Sequence, residues 1–134
     1  LEWSEIIENV VTLLNQYKPR TIVEANNAQD AIYEQIRNKI TFNKNHLEPF
    51  VTSNNSKQNI IEDLIVAFEE KTIGILPEQW SIDEYNMFTY DYNLRTRQIR
   101  YSAPQGFHDD GVMADAFAWA SFKTNKGMGK MLVL

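Results

Sequence analysis

Thr21-Ile22-Val23-Glu24-Ala25-Asn26-Asn27-Ala28 is the stretch from which the rest of the chain is read. The β-branched residues Thr21, Ile22 and Val23 predict a short strand that ends at Glu24. The strand is apolar on both faces, as a central strand covered by helices would be. Ala25 to Ala28 then forms a loop. Asn26 or Asn27 is the expected cap of a helix from about Ala28 to Lys39, with Ile32, Tyr33 and Ile36 turned inward. Upstream, Ser4 is expected to cap a first helix, with Glu5 and Glu8 near its positive end. Ile6, Val10, Leu13, Leu14 and Tyr17 mark its buried face. Lys18 suits the negative end, and Pro19 stops the helix.

Downstream the pattern alternates. Thr41 and Phe42 are candidates to begin a strand. Pro49 and the polar run Thr52 to Ser56 break regular structure, so 40–55 is expected to be a mobile loop. Lys57 to Lys71 reads as a helix with Ile61, Leu64, Ile65 and Phe68 at helical spacing. Thr72 to Leu76 reads as a strand ended by Pro77. Ser81 and Glu84 match the S-x-x-E capping box of a helix through Phe88. Tyr90 to Tyr101 predicts two strands with a turn near Asn93, followed by the loop Ala103 to Phe107. Asp109 or Asp110 caps a last, largely buried helix to about Phe122, with Val112, Met113, Ala116, Phe117, Trp119 and Ala120 around its circumference. The tail, 127–134, has no assigned element. The order of elements is α/β, and no internal repeat is found. All 134 residues are expected to form a single domain. The strands are too few for a complete sheet, so strands are expected to be missing from the N-terminal side. The start at Leu1 rather than Met supports a fragment of a longer chain.

The chain has 43% hydrophobic, 12% aromatic and 23% charged residues, which excludes disorder as its general state. It has no cysteine, which excludes a disulfide framework and any thiolate zinc site. Thirteen basic and eighteen acidic residues give a formal charge of -5, unlike a protein that coats nucleic acid by bulk charge. No apolar run approaches the roughly 20 residues of a membrane span. No signal peptide and a cytoplasmic location without membrane attachment are expected. Phosphate-binding, serine-hydrolase and zinc-protease motifs are absent.

Carboxylates occupy two positions with chemical potential. Glu24 ends the buried strand, and Asp109 with Asp110 begins a buried helix. Ligand sites in open α/β sheets gather outside the carboxyl ends of strands. Carboxylate oxygens suit Mg²⁺ or Mn²⁺, and a cluster can hold two ions for phosphoryl displacement. The commoner roles are plainer: a solvated charge for Glu24, helix caps for the two aspartates, a surface position for His108, a structural role for His46. Two adjacent acids are nevertheless more than one cap needs. Asp115, inside the most apolar helix, either shares a polar stripe with Gly111 and Lys123, pairs with a base, or faces the acidic site. The stripe is the favoured reading. Arg95, Arg97 and Arg100 lie among Tyr90, Tyr92 and Tyr101, either as outward charges of an edge hairpin or as a nucleic-acid contact.

The phrase Gly106-Phe107-His108-Asp109-Asp110-Gly111-Val112-Met113-Ala114 resembles the G-[FY]-H-D-D-x-V-M-[AS] segment near the end of the nuclease domain in large terminase subunits of tailed phages. Ile22-Val23-Glu24-Ala25-Asn26-Asn27 is similar to the strand with an E-x-N motif in that family. The resemblance covers most of residues 4–123. It implies a ribonuclease H-like fold and a metal-dependent endonuclease that cuts concatemeric double-stranded DNA during packaging. Glu24 and Asp110 are then metal ligands of a two-metal Mg²⁺ or Mn²⁺ site, Asp109 joins them or caps the helix, and His108 orients a ligand or phosphate. Arg95, Arg97 and Arg100 hold the DNA backbone. The family's first catalytic Asp, on a strand before the first helix, has no counterpart in this chain. Met113 stands where related junction resolvases carry a fourth acid, and Asp115 is out of register to replace it. The implied partners are an upstream ATPase domain, a small terminase subunit and a portal. The alternatives are a non-catalytic docking domain of a packaging assembly and a junction-resolving nuclease on the same fold.

Overall fold

The computed structural model describes residues 2–26 and 29–124. They form a mixed α/β chain that falls into two compact units. The first holds the described residues up to Thr52 together with Ser121–Thr124, and the second holds Ser53–Ala120. The tail expected over 127–134 and the cap expected at Asn27 lie outside the described residues.

The first unit begins with helix α1, Trp3–Tyr17. Its cap position is Glu2, which makes no side-chain capping bond, so Ser4 lies inside the first turn rather than before it. Tyr17 is followed by Lys18 in the left-handed conformation (φ 51°), whose N–H donates to the Leu14 carbonyl at 2.7 Å. Pro19 cannot extend the helix, so the chain leaves at this turn. The buried face is Ile7, Val11 and Leu14, while Leu13 and Tyr17 are exposed. The expected face was therefore rotated. The apolar residues of this helix span two adjacent stripes, and the partner helix selects one of them.

Strand β1, Thr21–Glu24, and helix α2, Gln29–Lys39, follow the expected bounds closely. Tyr33 and Ile36 are buried. After a short 3₁₀ turn at Lys44–His46 comes strand β2, Leu47–Phe50, which pairs parallel with β1 in the register Thr21↔Leu47 to Glu24↔Phe50. This corrects the expected mobile loop over 40–55. Pro49 is tolerated because, among the described residues, β2 pairs on one side only. The Phe50 carbonyl accepts from Ala25 N–H, so by strand alternation Pro49 faces the unpaired edge, where no N–H is required. The four residues of β1 are half-buried rather than enclosed. The core of this unit joins Ile7, Val11 and Leu14 to Ala25, Tyr33, Ile36, Ile40 and Leu47.

In the second unit the polar run begins a helix instead of breaking structure. Ser53 caps α3, Asn54–Glu69, and forms a reciprocal capping box with Ser56. Ile60, Ile61, Leu64 and Ala67 are its buried residues, while Ile65 is exposed. At its end Lys71 adopts φ 58°, and Thr72 N–H donates to the Ala67 carbonyl. Thr72–Leu76 does not form the expected strand, since no neighbouring strand is available to it among the described residues. Helix α4, Gln79–Met87, takes Glu78 as its cap position without a side-chain bond, so the expected Ser81–Glu84 box is not formed. Ser81 is buried inside the helix. Strands β3, Thr89–Asn93, and β4, Gln98–Ser102, form an antiparallel hairpin. Helix α5, Asp110–Thr124, ends the described chain. Phe68 of α3 meets the Tyr85 ring edge to face at 5.2 Å. The Tyr85 hydroxyl donates to Asp115 Oδ2 at 2.7 Å, so half-buried Asp115 is held by a phenol and not on a solvent stripe.

Two measurements test this packing. Leu14→Ala should lower unfolding free energy by about 2–5 kcal/mol in urea denaturation, and Leu13→Ala by well under half as much, because only the first leaves a core cavity. Burial, then the Asp115 hydrogen bond and charge, hold the Tyr85 hydroxyl well above the ordinary phenol range. This stabilisation is complete below the unfolded value of about 10 and is lost as pH rises toward the folded value. Stability should therefore fall progressively above about pH 10, and Tyr85→Phe should flatten that decline in pH-dependent denaturation.

Candidate functional site

Glu24 is the last residue of β1 and is half-buried. Its Oε1 accepts two hydrogen bonds, from Thr52 Oγ1 at 2.5 Å and from Asn26 Nδ2 at 3.1 Å. Asn26 also accepts the Thr52 backbone N–H at 2.8 Å through Oδ1. Asn26 is thus not the expected helix cap. It ties the carboxylate to the chain leaving β2. The parallel register makes this arrangement, because Glu24 pairs with Phe50 and Thr52 lies two residues further on. Oε2 of Glu24 accepts no hydrogen bond among the described residues, so the side chain is oriented through one oxygen while the other keeps its acceptor capacity. The Glu-x-Asn spacing carried the signal for Asn26. Thr52 had no local signal, since only strand pairing brings it near.

The second set lies at the start of α5. Asp109 stands at the cap position, where its carbonyl accepts Met113 N–H at 2.9 Å. Its carboxylate pairs with Lys57 Nζ of α3 at 3.5 Å, the side chains being 26% and 25% exposed. The second and third N–H groups after it, of Gly111 and Val112, donate to Glu84 Oε2 of α4 at 2.7 and 3.3 Å. The helix start is therefore capped by a carboxylate from another helix. Asp110 is exposed, and its carboxylate has no hydrogen-bond or ion-pair partner among the described residues. His108 is exposed beside it. Gly111 permits the capping contact: a Cβ there would lie 2.7 Å from Glu84 Oε2 and 2.8 Å from the Trp80 ring. A cavity of about 490 Å³ adjoins this region, lined by Trp80, Glu84, Met87, Phe107 and His108 among others. Sequence reasoning missed Lys57 and assigned Glu84 to its own helix.

The arginines occupy the hairpin. Asn93 Oδ1 accepts the N–H groups of Arg95 and Thr96, and Arg97, at φ 56°, donates its N–H to the Asn93 carbonyl at 2.8 Å. Arg95 and Arg97 are thereby fixed in the exposed turn. Arg100 lies opposite Asp91 on the exposed face of the ladder. Tyr101 faces the other way, stacks with Phe88 at 6.3 Å, and donates to Glu62 at 3.5 Å. Burial, then the Glu62 charge, raise its hydroxyl above the ordinary phenol range. His46 serves the first unit, edge to face with Phe42.

Taken separately, Glu24 in the first unit and Asp110 in the second are hard oxygen donors. Glu24 and Asp110 each offer a carboxylate oxygen with acceptor capacity left over, which is the chemistry Mg²⁺ and Mn²⁺ select. Among the described residues no group of three or more His, Asp or Glu side chains is gathered for a metal ion. No helix among them is long and apolar enough to cross a membrane.

No family model matches the sequence, and no curated protein matches it. Among solved structures, the chain is similar to the large terminase nuclease from thermophilic phage G20c, with a TM-score of 0.68 and 19% identity. The match covers 90% of this chain and 62% of the other. At that identity the likeness is one of fold: this chain spans somewhat less than two thirds of the nuclease whose architecture it shares.

Proposed function

We propose that these residues belong to a divalent-metal-dependent DNA endonuclease, part of a phage terminase large subunit that cuts concatemeric viral DNA during genome packaging. The observation that carries the reading is the unengaged carboxylate of Asp110, at a helix start that Glu84 already caps. Capping was the plain explanation for the two aspartates, and another residue performs it. The oriented carboxylate of Glu24 and the fold likeness to a terminase nuclease support the same reading. The resemblance of the His108-Asp109-Asp110 and Glu24-Ala25-Asn26 segments to that family supports it as well.

Glu24 and Asp110 are the proposed metal ligands. Asp109, paired with Lys57, joins them or completes the helix start, and His108 orients a ligand or the phosphate. Bound there, Mg²⁺ or Mn²⁺ supplies charge neutralisation at the scissile phosphate and a more acidic water. Arg95, Arg97 and Arg100 hold the phosphate backbone of double-stranded DNA, locally offsetting a net charge of -5. The proposed partners are an upstream ATPase domain, the small terminase subunit and the portal, in the host cytoplasm.

Plasmid cleavage in Mn²⁺ by the full-length gene product is the test. The parent should cut, and Glu24→Ala and Asp110→Ala should each reduce cutting to background. Normal cutting by both variants removes the proposal. Replacing Arg95, Arg97 and Arg100 with Ala should weaken DNA binding and flatten its log–log salt slope by roughly 0.9 for each arginine that contacts a phosphate.

A further inference from the structure

We propose that Glu84 is a positioning residue for the acidic pair: by taking the cap of α5 it keeps the Asp110 carboxylate available to a cation. The inference rests on the function proposed above. Glu84 Oε2 receives the Gly111 and Val112 N–H groups, the two that a side chain at position 109 ordinarily takes. A helix start exposes donors that attract whichever carboxylate is nearest. Without Glu84, those donors recruit Asp109 or Asp110, and an oxygen that bonds them competes less well for a metal ion. Glu84 is not placed by chance. Its neighbour Tyr85 binds Asp115, so consecutive residues of α4 grip α5 at positions 111 and 115, one turn apart. Gly111 completes the arrangement, since any side chain there meets the Glu84 carboxylate at 2.7 Å. Asp109 is drawn aside to Lys57, away from the self-capping role its position invites.

The experiment measures Mn²⁺ binding by calorimetry and the Mn²⁺ dependence of plasmid cleavage in the full-length protein. Glu84→Ala should weaken Mn²⁺ binding by about 10-fold or more, as loss of a residue that orients metal ligands does. The half-saturating Mn²⁺ concentration should rise in parallel, more than kcat falls. Glu84→Gln retains an acceptor oxygen and should recover most of the affinity. Gly111→Ala displaces the same carboxylate without altering charge and should reproduce the weakened binding, which keeps the test open if one variant folds poorly. A lowered melting temperature with unchanged Mn²⁺ affinity in Glu84→Ala and Gly111→Ala overturns this inference alone. Mn²⁺ binding that is absent in the parent, or unaffected by Asp110→Ala, overturns the reading of the site on which it rests.

Discussion

The two hydrogen bonds from the start of α5 to Glu84 Oε2 are the constraint on which the acidic end of the second unit depends. A helix N-terminus leaves several donors without partners, and the nearest acceptor in sequence usually supplies the cap. Here the acceptor comes from α4, 27 positions earlier. The consequence is chemical as well as structural. Asp109 is left to its ion pair with Lys57, and Asp110 to solvent. A glycine at 111 is the steric condition for all of this, because the carboxylate occupies the space of a side chain.

The first unit reaches a comparable result by strand pairing. Parallel strands require a crossover, and α2 supplies it between β1 and β2. The register then delivers Thr52 to the end of β1, where it and Asn26 bond the same oxygen of Glu24. A half-buried carboxylate gains from such charge-assisted bonds, which also restrict its rotamer. In each unit a carboxylate oxygen is left with acceptor capacity after the surrounding bonds are made.

Where local pattern and structure part, the cause lies in residues distant in sequence. Pro49 reads as a breaker, yet it lies in β2, because an edge strand has one side that needs no donor. Thr72–Leu76 has strand composition, yet it has no pairing strand among the described residues, and an isolated strand has no ladder bonds to hold it. Ser81 and Glu84 match a local capping box, but Glu84 finds better donors on α5 than on its own helix. In α1 the apolar residues cover two neighbouring stripes, and contact with α2 decides between Leu13 and Leu14. Asp115 offered three readings, and the partner was a neutral phenol that none of them included.

The sequence by itself determined the elements whose signals are local: β1 at Thr21–Glu24, α2, the hairpin around Asn93, and the helix that begins at the paired aspartates. β-branched runs, helical spacing and turn residues act over a few positions, so they survive without knowledge of the neighbours. It also named the carboxylates worth examining, through the Glu-x-Asn and His-Asp-Asp segments. Only the tertiary structure decided which side chain caps α5, which oxygen of Glu24 is bound, and that Thr52, Lys57 and Tyr85 take part. Those contacts join residues between 27 and 52 positions apart, and the physical reason is that a hydrogen bond depends on distance in space, which one chain's order does not encode.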